Sequence, residues 1–392
     1  MASTFQTFDL ERIMSDWEQV VEYNLSESGA HPVKVRELIA HDPDILDRML
    51  DTELGYGYAN GSPELREAIA RYYPGATAEN VLVTIGCIEA NYITFQTLLE
   101  GGGEVAVQVP CYLQSWGLAH NLGAVRRTFT LDPDRGWALD TDSLESAVSD
   151  ETKLISICNP NNPTGQILTE SEMDAVVRAA ERSGAYLLAD EIYAGSERER
   201  EEVSTTFYGR YDRVVAAGSM SKSFGMPGLR IGWLVGPEDL LRELWKRHEY
   251  LTLSTAKLSN HFLAPLALRP DVRQAIFERT RGYIRRGWEN YHGWISDNAD
   301  ILSLVPPQAT AVSFVRYNLR ADSATLAHRL IQEKSVLIGP GDYFGIPNHL
   351  RISYGLPPDY LNEGLRRIAS LLRQVAAEED AGTVNERGAA AG

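Results

Sequence analysis

The chain has 392 residues, 44% of them hydrophobic and 23% charged, enough to bury at least one sizeable core and to form two domains. Its formal net charge of −17 opposes binding to nucleic acid or to an anionic membrane, because a phosphate backbone is gripped by clustered Lys and Arg. No apolar run of about 18 residues is present to span a bilayer, and MASTFQTFDLERIMSDWEQ at the start carries acids where a secretory signal needs apolar residues.

Residues 1–50 have no core pattern of their own and are expected to join a smaller domain. From residue 80 to 235, short apolar runs alternate with amphipathic stretches. NVLVTI, EVAVQV, KLISIC, AYLLAD, RVVAAG and RIGWLV are the strand candidates, the pattern of a mostly parallel, helix-covered sheet. One intervening helix spans 170–183, opened by Thr169 and stopped by Gly184. Residues 51–279 thus form a large α/β domain.

Beyond 237, long helical segments run to 297. AVSFVRY, a helix near 324–334, SVLIGP, HLRISY and a helix over 358–377 follow, so 280–377 reads as a smaller α+β domain. The tail 378–392 is small and polar and is expected to be disordered. Cys87, Cys111 and Cys158 sit in or beside apolar stretches without a paired ligand spacing. They read as reduced thiols of a cytoplasmic protein, with no metal site.

Ligands of open α/β sheets lie beyond the carboxyl ends of the strands. NVLVTI is followed there by Gly86, Cys87 and Ile88 and then a helix, whose free N–H groups suit a phosphate. KLISIC runs into NPNNPTG, which offers Asn162, and AYLLAD ends in Asp190, with Tyr193 after it. An aspartate at a buried strand end calls for a cation opposite it. RVVAAG is followed by Ser219, Ser221 and Lys222. The Lys-Ser pair is not a Walker phosphate loop, because position 221 is serine where glycine is required. A lysine at this edge, beside phosphate-type donors, suits Schiff-base chemistry.

NPNNPTG, LLADEIY and SMSKSFGMPGLRIGW, in that order and spacing, resemble the class I/II aminotransferase family, enzymes of the pyridoxal-phosphate (PLP) transferase fold type I, over roughly residues 20–375. The resemblance implies an α/β fold with a mostly parallel seven-stranded sheet and a smaller α+β domain. It implies pyridoxal 5′-phosphate, an internal aldimine at Lys222, and a homodimer with shared active sites.

By the same resemblance, Ser219 and Arg230 match phosphate ligands, with Gly225 and Gly228 turning the backbone between them. Ser221 lies beside them, and Gly86, Cys87 and Ile88 supply the phosphate turn. Asp190 matches the partner of the pyridine nitrogen, and Asn162 and Tyr193 match the partners of the phenolic oxygen. Tyr112 in VPCYLQSW matches the residue stacked on the ring. Tyr56 matches the tyrosine that reaches the neighbouring subunit's phosphate, and Arg351 in HLRISYG matches the arginine that binds the substrate α-carboxylate.

Two stretches depart from the family pattern. LSESGAHPVKVREL stands where a Gly-Glu-Pro-like segment closes over the substrate. Gly29 can serve the same backbone role, and His31 is a candidate acid/base or lid residue. With EYLTLS this segment is similar to capreomycidine synthases. At the phosphate turn, Ile88 replaces a polar side chain.

The expected function is that of a PLP enzyme acting on an amino acid through a quinonoid. The general motifs lean towards amino transfer to a 2-oxo acid. LSESGAHP points to elimination, replacement or cyclisation, on a substrate such as a hydroxylated arginine or a sulfonium amino acid. A DNA-binding regulator built on this fold is set aside, because the residues ahead of Tyr56 are too few for an added domain and are not basic.

Overall fold

A computed structural model describes residues 5–382. Its strands are β1 (Tyr23–Asn24), β2 (Val81–Thr84), β3 (Glu104–Val109), β4 (Val125–Asp132), β5 (Ala138–Leu139), β6 (Thr152–Cys158), β7 (Tyr186–Asp190), β8 (Val214–Ser219), β9 (Gly232–Val235), β10 (Leu302–Leu304), β11 (Val312–Tyr317), β12 (Val336–Leu337), β13 (Gly339–Pro340) and β14 (His349–Ser353). The central sheet has the order β2-β9-β8-β7-β6-β3-β4-β5.

From β8 through β7, β6 and β3 to β4 every pairing is parallel, while β9 runs antiparallel to both β8 and β2. Residues of β2, β3, β8 and β9 are buried throughout. Strands covered on both faces read as unbroken apolar runs, which is why the sequence shows them.

Two strands of this sheet are not apparent from the sequence. In β4, VRRTFTLD, only Phe129 and Leu131 are buried, as befits a strand near a sheet edge. The two-residue β5 folds back antiparallel on the end of β4 and makes an eighth strand where the family resemblance implies seven.

The reversed direction of β9 positions the site. Its first residue, Gly232, pairs with both Ser219, the last residue of β8, and Thr84, the last of β2. Whatever precedes β9 therefore lies at the carboxyl edge of the parallel strands. Helix Glu170–Ser183 behaves locally as its ends dictate. Thr169 and Glu172 form a reciprocal capping box, and Gly184 closes the helix at φ 68°.

The second sheet is antiparallel, in the order β10-β11-β14-β13, and packs against helices Pro270–Asp297 and Pro358–Asp380. The N-terminal segment joins this part of the molecule. β1 pairs with β12, the Leu25 N–H donates to the Leu337 carbonyl, and the Ser353 N–H donates to the Leu25 carbonyl, both at 2.8 Å. The last helix continues through Asp380, past the expected start of disorder at 378. The rest of that expected tail, from residue 383, lies outside the described residues. Among the described residues no helix is long and apolar enough to cross a membrane.

Candidate active site

The phosphate-type donors converge where β2, β8 and β9 meet. Helix Gly86–Leu98 begins one residue beyond Ile85 and presents first-turn N–H groups that have no partner within the helix. Gly86 has φ +72°, and a Cβ there would stand 2.5 Å from Nη2 of Arg230, so the turn is shaped around that guanidinium. Arg230 is itself in the left-handed region, at φ 51°. Ser219 Oγ accepts the Ser221 N–H at 3.0 Å and lies 2.9 Å from Ser221 Oγ. Gly225 uses its freedom at φ 65°. Gly228 does not, since it lies inside the 3-10 turn Pro227–Leu229, and the left-handed residue after that turn is Arg230.

A buried layer lies behind this turn. Glu89 accepts the Ile85 N–H at 2.6 Å and faces His248 Nδ1 at 2.9 Å, while His248 Nε2 donates to the Ala59 carbonyl at 2.8 Å. The phosphate turn is thereby tied to the segment that carries Tyr56.

Asp190 ends β7 in apolar surroundings. Burial pushes its carboxyl up, against contacts from Asn91 Nδ2 at 3.3 Å, the Ile192 N–H at 3.3 Å and Cys87 Sγ at 3.6 Å. No cation forms an ion pair with it among the described residues. Asn91 also donates to Gln114, whose amide in turn donates to the Ile88 carbonyl, so Asp190 and the phosphate turn share one polar network. The Ile88 side chain is exposed.

Lys222 Nζ meets Glu27 Oε1 at 2.8 Å. Burial raises the Glu27 carboxyl, but the charge and hydrogen bond of Lys222, the Gly29 N–H at 3.0 Å and the charge of Arg351 outweigh it and hold the group at about 2. One residue on, Ser28 Oγ accepts from the buried Tyr193 hydroxyl at 2.9 Å.

Arg351, on β14, is fully buried. It donates through Nη1 to Asn162 Oδ1 at 3.1 Å and through Nη2 to the Ser26 carbonyl, and its Nε has no hydrogen-bond partner. Burial pulls the guanidinium below its ordinary value, partly offset by the charges of Glu27 and Glu11. Glu11 comes from helix Asp9–Trp17 and accepts the Tyr112 hydroxyl at 2.6 Å, while Phe8 packs on the Tyr112 ring at 4.8 Å.

Lys222, Asp190, Tyr193, Asn162, Arg351 and Tyr112 are thus gathered into one site with Gly29, and Gly86, Cys87, Ile88, Ser219, Ser221 and Arg230 stand at the end whose donors suit a phosphate. His31 is not linked to them. Its ring packs on Tyr283 at 5.4 Å and its carbonyl holds Arg279. Tyr56 projects into solvent, 86% exposed.

The sequence reading did not place Glu11, Ser28, Asn91 or Gln114 in the site, and it left Glu27 without a role. Asn91 carried a usable signal, one helical turn after Cys87 on the same face. Glu11 adjoins Leu10, Ile13 and Met14, the buried face of its helix, and nothing local in the sequence says what that face covers.

The family described as aminotransferases of class I and II matches residues 24–368. The chain belongs to that family. Among relatives of this aminotransferase-family chain, a capreomycidine synthase from Streptomyces vinaceus is 31% identical over 362 residues, 92% of each chain. A solved PLP-dependent aminotransferase from Streptococcus suis superposes with a TM-score of 0.88 at 27% identity, covering 95% of this chain and 99% of its own. The PLP-dependent cyclase OrfR gives a TM-score of 0.85 at 25% identity, covering 94% and 97%.

The chain is therefore a PLP-dependent enzyme acting on an amino acid. The residues present fit pyridoxal phosphate. The Gly86–Arg230 cradle and the serine hydroxyls suit a doubly charged phosphate, and the carboxylate of Asp190, without an ion pair, suits a protonated ring nitrogen.

Proposed function

We propose that this aminotransferase-family enzyme takes a free α-amino acid with a cationic side chain and works by elimination, replacement or ring closure, without an amino acceptor. The observation that carries this reading is the charge layout around Arg351. One buried guanidinium suits an α-carboxylate, and two carboxylates, Glu27 and Glu11, lie near enough for their charges to act on it. A distal ammonium, guanidinium or sulfonium is attracted by that pair, whereas the second carboxylate of a 2-oxoglutarate-like acceptor is repelled. A hydroxylated arginine fits the requirement, and the relatives that are a capreomycidine synthase and a cyclase support it.

Pyridoxal phosphate, when bound, supplies the sink for the electron pair left when the substrate loses its α-proton. Arg351 holds the α-carboxylate, its unpartnered Nε completing a two-point grip. Lys222 Nζ accepts the α-proton. Asp190 would keep the ring nitrogen protonated, Asn162 and Tyr193 would hold the phenolic oxygen, and Tyr112 would lie against the ring. Gly86, Cys87, Ile88, Ser219, Ser221 and Arg230 would hold the phosphate.

Amino transfer to a 2-oxo acid is the second reading, favoured because Asp190, Lys222 and Arg351 meet all that reaction asks of the protein. Single-turnover spectra separate the two. With amino transfer, ordinary amino acids bleach the yellow resting form, and pyruvate or 2-oxoglutarate restores it. The preferred reading expects no lasting bleaching, and a hydroxylated arginine consumed with no acceptor present. Bleaching and recovery, with no acceptor-free consumption, overturns it.

The same proposal includes a homodimer. Leu50, Leu54, Tyr56, Tyr250 and Leu253 are all at least half exposed. Thr252, between two of them, donates to Glu89 beside Ile88 of the phosphate turn, so this apolar surface borders the site. A second copy covering it brings its Tyr56 to the neighbouring phosphate. The three buried, unpaired cysteines support a cytoplasmic setting.

A further inference from the structure

We propose that Glu27 is a second proton-carrying group at the reacting centre, which passes the proton that Lys222 collects to the group leaving the substrate's side chain. This rests on the elimination reading above and assigns the acid that such a reaction needs. Departure of a side-chain hydroxyl is slow unless its oxygen is protonated as the carbon–oxygen bond breaks. Lys222 already has the task of removing the α-proton.

Three observations support Glu27 in this role. Its Oε1 lies 2.8 Å from Lys222 Nζ, within reach for direct proton transfer. The charged groups that act on it are Lys222 and Arg351, the two residues that handle the α-proton and the α-carboxylate, so its carboxyl faces the place where the substrate must lie. Its position is also fixed. The segment on either side is anchored by Leu25 to β12 and β14, by Ser28 to Tyr193, by the His31 N–H to the Gly355 carbonyl at 3.0 Å and by the Val33 N–H to the Gly225 carbonyl at 2.8 Å. The Gly29 N–H aims Oε1 itself. A surface carboxylate that had merely found a lysine would not be held at so many points.

The step balances. Lys222, as the free amine, takes the α-proton, leaving the electron pair of the C–H bond, for which bound pyridoxal phosphate would supply the sink. The bond between the leaving oxygen and its carbon breaks, the oxygen keeps that bonding pair and receives a proton through Glu27, and the pair left at the α-carbon forms the new carbon–carbon double bond. Glu27, a carboxylate at rest, takes that proton from the Lys222 ammonium across their hydrogen bond in the same step. The substrate loses one molecule of water, both residues recover their starting states, and neither oxidant nor reductant is needed.

The test is Glu27→Gln, which keeps an oxygen for the Gly29 N–H and removes the charge and the proton. In the loaded resting enzyme, titration of the visible band reports protonation at the Lys222 nitrogen. A facing carboxylate stabilises the protonated form, so the variant's band should titrate lower by about one unit or more. With substrates, two rates are compared: exchange of the α-proton into deuterated water, and consumption of a β-hydroxylated basic amino acid. Glu27→Gln should slow consumption at least tenfold more than exchange. Equal slowing of both, or a band that titrates as in the parent enzyme, overturns the proposal. Glu27→Asp serves if the Gln variant is unstable. It keeps the charge but shortens the reach, and should also slow consumption more than exchange. If the parent enzyme exchanges the α-proton and never consumes the hydroxylated substrate, the elimination reading has failed. The band titration then judges Glu27 separately.

Discussion

The guanidinium of Arg230 occupies the space that any side chain on Gly86 would need. Gly86 follows β2 and Arg230 precedes the antiparallel β9, and their contact closes the end of the site where the phosphate-type donors gather. Gly86→Ala must displace Arg230 and also strain a backbone at φ +72°. We expect cofactor affinity to fall roughly ten- to a hundredfold, the worth of one charge-assisted contact, with little change in secondary structure. Equilibrium dialysis of pyridoxal phosphate checks this, and an unchanged Kd would show that Arg230 does not need the gap.

Asp190→Asn should act in opposite directions on the two forms of the protein. In the cofactor-free form the buried carboxylate is a burden, since burial raises its pKa. Its stability contribution is complete below the unfolded pKa and is lost as pH rises through the folded one. The amide should therefore raise the cofactor-free Tm at pH 7, with the gain vanishing in acid. The loaded variant should lose roughly a hundredfold or more of its activity. Thermal scans with and without cofactor read both effects, and equal shifts in the two forms would falsify the pairing.

Glu191, beside Asp190 in the chain, is pushed by burial to about 7 despite accepting from the Phe207 N–H and Thr206. Being raised, it stabilises fully below its ordinary value near 4.5 and progressively less up to pH 7. Glu191→Gln keeps an oxygen for Phe207 and should stabilise by about 1–3 kcal/mol above pH 7, and hardly at all below pH 4. Denaturant melts across that range decide it, and a gain independent of pH would rule out titration as its source.

Mixing Tyr56→Phe with Lys222→Ala should create hybrid dimers in which one site carries neither lesion. Random pairing makes half the dimers hybrid and leaves about a quarter of all sites intact, so activity should exceed that of either variant alone. Activity no greater than the average of the two parents, or an active monomer in sedimentation, would show that Tyr56 serves its own chain.

The sequence exposes those parts of the site that are local in the chain. NPNNPTG and Lys222 follow apolar runs, Asp190 ends one and Arg230 opens one, and doubly covered strands make those runs unmistakable. Arg351 and Asn162 are recognisable by motif, though only the packing of the second sheet on the first brings them within a hydrogen bond. Glu11 and Glu27 lie outside any such pattern. Glu11 is one acid among several on an amphipathic helix, and Glu27 sits between serines. Their meaning comes from contacts more than 100 residues away in sequence. β4 was hidden for the opposite reason, since its arginines and threonines, none of them buried, dilute the apolar signal.

The union of β1 with β12, and of Leu25 with β14, makes Glu27, Ser28 and Arg351 parts of one rigid jaw, while Lys222 and Tyr193 belong to the opposing one. Among the described residues, the side-chain contacts Glu27 to Lys222 and Ser28 to Tyr193 bridge the jaws along this segment. A molecule whose carboxylate binds Arg351 therefore meets Glu27 and Ser28 in a position set by the same strands. Grip on the substrate's invariant end and the proton chemistry at its reacting carbon are geared together, so an amino acid without a free carboxylate should fail to set the jaws even if its side chain fits.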